Sequence, residues 1–183
     1  MEQTPAFVIG NAKTGKTNVI KNMLSMVSGE KVYLFDNKSH ELAAYQSREN
    51  VVYVSDKSTV ADALKQIKED IFARKEDYEE AKLDDVSLSI ESFAKTLPPI
   101  YVMVDMLQEL YDNVAEDNSM IDILEEAVRY GIYVLVTSEF KVKKMTRSKF
   151  IEMLLASREV LILGNIKDQL LSVSYTHLTL PTT

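Results

Sequence analysis

The 183-residue chain contains no cysteine, which excludes a disulfide framework and any thiolate metal site. Histidine is almost missing as well: His40 and His177 are the only two, and the sequence sets no second ligand beside His40. Positive charge is in deficit, with 21 Lys and Arg against 28 Asp and Glu, a net charge of −7 and a pI near 5.0. That balance argues against a dedicated nucleic-acid surface, so DNA is an unlikely partner, although a basic groove assembled in a ring would escape the sum. No run of 18 apolar residues appears, and the N-terminus lacks the charged-then-apolar design of a signal peptide. No membrane insertion by this stretch is therefore expected. Glycine is scarce, five in all, yet two of the five fall within one short stretch. What remains is 46% hydrophobic, enough for one α/β domain with a substantial core.

The short stretch is Gly10-Asn11-Ala12-Lys13-Thr14-Gly15-Lys16-Thr17, which fills every fixed position of the phosphate-loop pattern G-x-x-x-x-G-K-[ST]. The apolar run Ala6-Phe7-Val8-Ile9 precedes it. Residues 18–24 follow with helical spacing, Ile20, Met23 and Leu24 sharing one face. A strand, a glycine turn and a helix N-terminus aim backbone N–H groups and the positive helix end at phosphates. The candidate nucleotide-binding residues are Gly10, Asn11, Ala12, Lys13, Thr14, Gly15, Lys16, Thr17 and Asn18. Lys16 would reach the β- and γ-oxygens of ATP, and the Thr17 hydroxyl would hold Mg²⁺. The alternative is a glycine turn joining strand to helix with no ligand at all.

Beyond the loop, strand and helix signals alternate. Val32–Phe35 reads as a strand ending at Asp36, followed by a short helix from Ser39 to about Tyr45, capped by Ser39. Val51–Val54 is the third strand. A long helix over about 59–82 carries an apolar stripe at Val60, Ala63, Leu64, Ile67, Ile71 and Ala73. Its charged second half, Arg74 to Glu80, should be solvated. A helix over about 89–95 stops before Pro98-Pro99. Ile100–Val104 is continuously apolar, as a parallel strand buried on both faces requires, and ends at Asp105. A helix over about 119–130 stops at Gly131, and strand Ile132–Val136 ends at Thr137. A last helix over about 148–157 leads to strand Val160–Leu163. The fold class is α/β, with a mainly parallel sheet and helices on both faces.

Asp105 is the second candidate for the site. A carboxylate ending a buried strand in a phosphate-loop protein takes Mg²⁺, usually through water, although an aspartate there can also simply cap a helix. Thr17 and Asp105 are thus the candidate metal ligands, and Lys16, Asp105 and Thr137 the candidate catalytic residues. An ATPase of the additional-strand class carries Glu directly after that aspartate to polarise water. Here the position is Met106, whose thioether does not take a proton. Glu109, one helical turn on, should point elsewhere. Thr137 could contact the γ-phosphate, whereas Ser138 is too short to reach as a Gln would; the alternative is that both hydroxyls cap the segment that follows.

On these residues the chain resembles an FtsK/SpoIIIE-type ATPase module of the type VII secretion motor, the EssC/EccC/YukB family, and among those a degenerate C-terminal module. Phe7-Val8-Ile9-Gly10 into Gly15-Lys16-Thr17 is similar to the family's loop. Leu34 to Lys38, with Glu41-Leu42, resembles its aspartate-x-lysine segment, and Lys65 to Tyr78 the helix before the Walker B strand. Asp105 matches the Walker B aspartate, Glu109-Leu110 the acidic-Leu pair after it, and Ala127–Thr137 the helix and strand leading to a Thr-Gln-Arg sensor. The likeness covers about residues 5–165. It implies a RecA-like P-loop NTPase fold, ATP and Mg²⁺ as ligands, neighbouring ATPase modules of the same chain or ring as partners, and secreted WXG-type proteins as substrates. It also implies a cytoplasmic position as the soluble part of a membrane-anchored parent. Two departures stand out: Met106 replaces the catalytic Glu, and Ser138-Glu139 replaces the Gln-Arg of the sensor. They imply a module that binds ATP without efficient turnover and acts in regulation or substrate recruitment.

Two other readings stay open: an active ring ATPase, either a DNA translocase or a competent secretion motor, and a small-molecule P-loop kinase. In the kinase reading Lys141–Arg147 would be a basic lid, and in the motor Arg147 a finger toward a neighbouring nucleotide; the plainer alternative for this run is a solvated loop. Residues 1–172 are expected to form the domain, truncated at its C-terminus. Residues 173–183 resemble the translation of a sequencing adapter, which would make His177 foreign.

Overall fold

A computed structural model describes residues 6–37, 39–113, 119–139, 157 and 159–164. Six strands form one sheet: β1 (Ala6–Gly10), β2 (Lys31–Asp36), β3 (Val51–Val54), β4 (Ile100–Asp105), β5 (Ile132–Ser138) and β6 (Glu159–Leu163). Every pairing is parallel, in the order β3-β2-β4-β5-β1-β6. The β1 strand therefore lies between β5 and β6, and β5 separates it from β4. Chemistry-bearing residues fall at the C-terminal strand ends. Asp36 is registered against Asp105, and Ile9 against Ser138.

Alternation along the strands builds two cores. Phe7, Tyr33, Phe35, Val102, Val104, Val134 and Val136 face one side, and Val8, Val32, Leu34, Met103 and Leu135 the other. The first face is covered by α2 (Lys57–Asp84), α4 (Leu107–Asn113) and α5 (Ser119–Arg129). The second carries α1 (Lys16–Met26), whose Ile20 and Leu24 are fully buried, together with a 3₁₀ turn at Ala43–Ser47. A short α3 (Ile90–Ala94) is capped by Ser89, whose hydroxyl accepts the Ser92 N–H at 3.2 Å. Among the described residues no helix is long and apolar enough to cross a membrane.

Three local expectations are corrected. The helix expected from Ser39 is a loop followed by the 3₁₀ turn. The Asp36 carboxylate accepts the N–H groups of His40 (3.0 Å) and Leu42 (2.9 Å), and His40 takes a left-handed backbone (φ 53°) through which an α-helix cannot run. The long helix starts earlier, where Asp56 and Thr59 form a reciprocal cap: Asp56 Oδ1 accepts from Thr59 N, and Thr59 Oγ1 accepts from Asp56 N. Its buried stripe ends at Arg74, not Ala73, and Arg74 is only 6% exposed despite the charged run it opens. The guanidinium donates to the carbonyl oxygens of Tyr130 (2.9 Å) and Pro98, tying α2 to the end of α5 and the entry of β4. Arg74→Ala should lower unfolding stability by about 2–3 kcal/mol, because two inward carbonyls lose a charged donor. Urea unfolding at unchanged m-value would read this directly. The expected last helix, Lys141–Arg147 and residues 173–183 lie outside the described residues.

Candidate functional site

The loop after β1 has a backbone suited to an anion. Gly15, at the N-cap of α1, has φ 92°, and Lys13 has φ 63°; left-handed residues of this kind turn N–H groups inward as a nest. No side chain caps α1, so its positive end faces the cavity rather than a residue of its own. Lys16 is 6% exposed, its ammonium donating to Gly10 O (3.1 Å) and Asn11 O (2.7 Å). Thr14 Oγ1 also donates to Asn11 O at 2.8 Å, closing the loop on itself.

From 88 residues away Asp105 reaches this loop: Thr17 Oγ1 donates to its Oδ2 at 2.9 Å. Its Oδ1 accepts the Thr137 hydroxyl at 2.8 Å, and Thr137 Oγ1 in turn accepts the Met106 N–H at 2.8 Å. Burial pushes the Asp105 carboxyl above its ordinary pKa; the two threonine hydroxyls pull it back in part, while Asp36 and Glu41 add to the rise. Asp36, the neighbouring strand end, is tied into its own loop, and Tyr53 OH donates to it at 3.1 Å. The Tyr53 phenol is pushed up to about 12, first by burial and then by that carboxylate.

A cavity of about 360 Å³ joins these parts, lined by Lys13, Lys16, Thr17, Asn18, Asp105 and Met106, and also by Ser39, Glu41 and Glu139. That volume lies in the range of small-ligand sites. A larger apolar groove of about 450 Å³, lined by Tyr101, Tyr133 and Leu161, opens at the opposite ends of the strands and holds little chemistry. The structure thus brings together Gly10 to Asn18, Asp105 and Thr137. Glu109 is not among the cavity residues. Ser138, registered against Ile9 just before the loop, is not among the cavity residues and accepts from the Gln108 amide at 2.8 Å. Among the described residues, no group of three or more His, Asp or Glu could hold a metal by itself. Sequence reasoning missed Ser39, Glu41 and Glu139. Glu139 is marked in the sequence only as a departure at the sensor position, and nothing in spacing marks Ser39 or Glu41; the loop that Asp36 folds back and the end of β5 put them there.

Hard oxygen donors suit magnesium, and the Thr17 hydroxyl and Asp105 carboxylate are two such donors, 2.9 Å apart at the mouth of the loop. The residues present fit the ion.

A phosphate loop on β1, an acidic strand end on β4 and an intervening β5 define a RecA-like α/β P-loop NTPase fold. No protein-family model matches the chain. It is 26% identical over 137 residues to the ESX secretion system protein EccC of Geobacillus thermodenitrificans, an alignment that spans 70% of this chain and 9% of that protein. In structure it is similar to the cytoplasmic domain of EssC, with a TM-score of 0.74 at 20% identity, over 97% of this chain and 34% of that one. It is also similar to ATPases 2 and 3 of EssC from Geobacillus thermodenitrificans, with a TM-score of 0.72 at 21% identity, over 91% and 30% of the two chains. In sequence and fold the chain resembles an EssC/EccC-type module of the FtsK/SpoIIIE ATPases, and it spans a minor part of each relative's length.

Proposed function

We propose that the chain binds Mg-ATP at Gly10–Asn18 and Asp105, turns it over poorly, and serves a type VII secretion ATPase as a regulatory or substrate-recruiting module. In this reading Lys16 leaves the Gly10 and Asn11 carbonyls for the β- and γ-phosphates, and Thr17 with Asp105 holds Mg²⁺. Bound magnesium would supply charge neutralisation to the phosphates. The loop amides and the α1 N-terminus bind and orient the chain of phosphates.

One observation carries the reading: Met106 lines the cavity beside Asp105, where an ATPase of this class places its water-activating carboxylate. Binding needs the amides, Lys16 and the metal donors; turnover needs an oriented water as well. Neighbouring ATPase modules are the proposed partners, with secreted WXG-type proteins as the cargo of the parent. The proposed location is cytoplasmic, within a membrane-anchored assembly. A bound nucleotide would stabilise the module by mass action and so bias its packing against a neighbour.

An active ATPase is the second reading, favoured by Glu41 and Glu139 on the cavity wall. ATP binding and single-turnover hydrolysis, measured on the protein and on Met106→Glu, separate the two. The expected result is Mg-dependent binding, negligible hydrolysis, and a gain of about 10²-fold in the variant, the size of a positioned general base. Ordinary ATPase rates in the unaltered protein would sink the weak-turnover reading. Absence of nucleotide binding would leave the loop as scaffold.

A further inference from the structure

Thr137 is the last residue but one of β5, the strand between the phosphate loop's strand and that of Asp105, where a side chain would be expected to read the γ-phosphate. Its hydroxyl is already committed. The side chain is fully buried, its one proton goes to Asp105 Oδ1 at 2.8 Å, and its lone pair takes the Met106 N–H at 2.8 Å. A phosphate oxygen is an acceptor and could use only that proton. Met106 holds a left-handed backbone (φ 63°), which non-glycine residues adopt only when their surroundings fix them. The bond to Thr137 is one such fixture, and the Glu109 N–H on the Met106 carbonyl at 2.9 Å is another. With Oδ1 held from β5, the carboxylate keeps Oδ2 toward Thr17.

We infer that Thr137 is a positioning residue: it sets the rotation of the Asp105 carboxylate for the metal and does not sense the γ-phosphate. The inference rests on the Mg-ATP reading above. Its test is nucleotide binding to the full chain, for ATP and for ADP, titrated with Mg²⁺ and repeated in EDTA. Thr137→Val removes the hydroxyl at nearly constant volume, Thr137→Ser keeps it, and Thr137→Ala replaces the valine variant if that one fails to fold by thermal unfolding.

The expected result is a rise of about tenfold in the Mg²⁺ needed for half-maximal binding in the valine variant, the scale of one lost hydrogen bond to a charged group. Metal-free affinity and the ATP-to-ADP preference stay unchanged, and serine restores the wild-type metal dependence. A valine variant whose ATP-to-ADP preference shifts at constant metal dependence would make Thr137 a sensor and overturn the inference. One that shifts neither overturns it too, leaving the side chain as packing. If the unaltered protein binds no nucleotide, the Mg-ATP reading itself has failed and this inference falls with it.

Discussion

Asparagine at position 105 weakens magnesium-supported nucleotide binding by a factor on the order of 10–100, the worth of a charged donor–acceptor contact, while making the ligand-free protein more stable. Both effects have one cause. Asp105 is 3% exposed, and burial raises its pKa despite the two threonine hydroxyls. A raised folded pKa means that the ionised form is disfavoured more in the folded than in the unfolded chain. The associated stability is fully present below the ordinary value of 3.8 and is lost as pH rises through the folded value. As pH rises through that folded value the wild-type protein takes on the penalty of a buried charge, whereas an amide of the same shape carries no charge to desolvate. Thermal unfolding without nucleotide should show Asp105→Asn a few degrees above wild type at pH 7. The gap should close as pH falls toward 4. A variant less stable than wild type at pH 7 would mean that the carboxylate's hydrogen bonds outweigh its desolvation.

Gly10→Ala is the second large effect, and it acts through space rather than charge. A Cβ at this position would stand 2.5 Å from the Leu163 carbonyl oxygen and 2.5 Å from Thr14 Oγ1. Gly10 and Leu163 are also opposite one another in the β1–β6 ladder, so the clash is with backbone that cannot swing aside. Overpacking of this kind costs about 1–3 kcal/mol, and here it also pushes apart the strand and the loop it feeds. Denaturant unfolding should record that loss together with a collapse of nucleotide affinity. Gly29→Ala is the control, because an added methyl there meets nothing within 4 Å. It should leave stability within about 0.5 kcal/mol and binding unchanged.

How far the sequence discloses this molecule depends on how local each cause is. The phosphate loop is legible because its chemistry demands fixed residues at fixed spacing within one turn. The buried strands are legible because Ile100–Val104 and Ile132–Val136 are apolar without interruption, a pattern few solvated elements tolerate. The loop at 39–42 is not, because the helix start at Ser39 is broken by a left-handed turn at His40, and neither that turn nor the Asp36 carboxylate that braces it leaves a trace in spacing. The cap of α2 escapes for a related reason: Thr59 stands where the usual pattern asks for Glu or Gln. Arg74 shows the converse. Its place on an apolar stripe is visible at helical spacing, but only the fold shows the two carbonyls that let an arginine lie there. Glu41 and Glu139 line the cavity through loop and strand ends far apart in sequence, which no short pattern reports.

The place of β1 in the sheet has a consequence for biosynthesis. Ala6 lies opposite Leu135 on one side and Glu159 on the other, so among the described strands β1 is made before both of its partners, β5 and β6. While β2, β3 and β4 can pair as soon as they emerge, the nascent β1 must wait with both edges open. Long-range parallel pairing of this kind is slow and leaves strand edges exposed to other chains. Both flanks of the strand that feeds the phosphate loop are therefore completed only after about 150 further residues have been made, so the loop's support is among the last parts of the described sheet to be assembled.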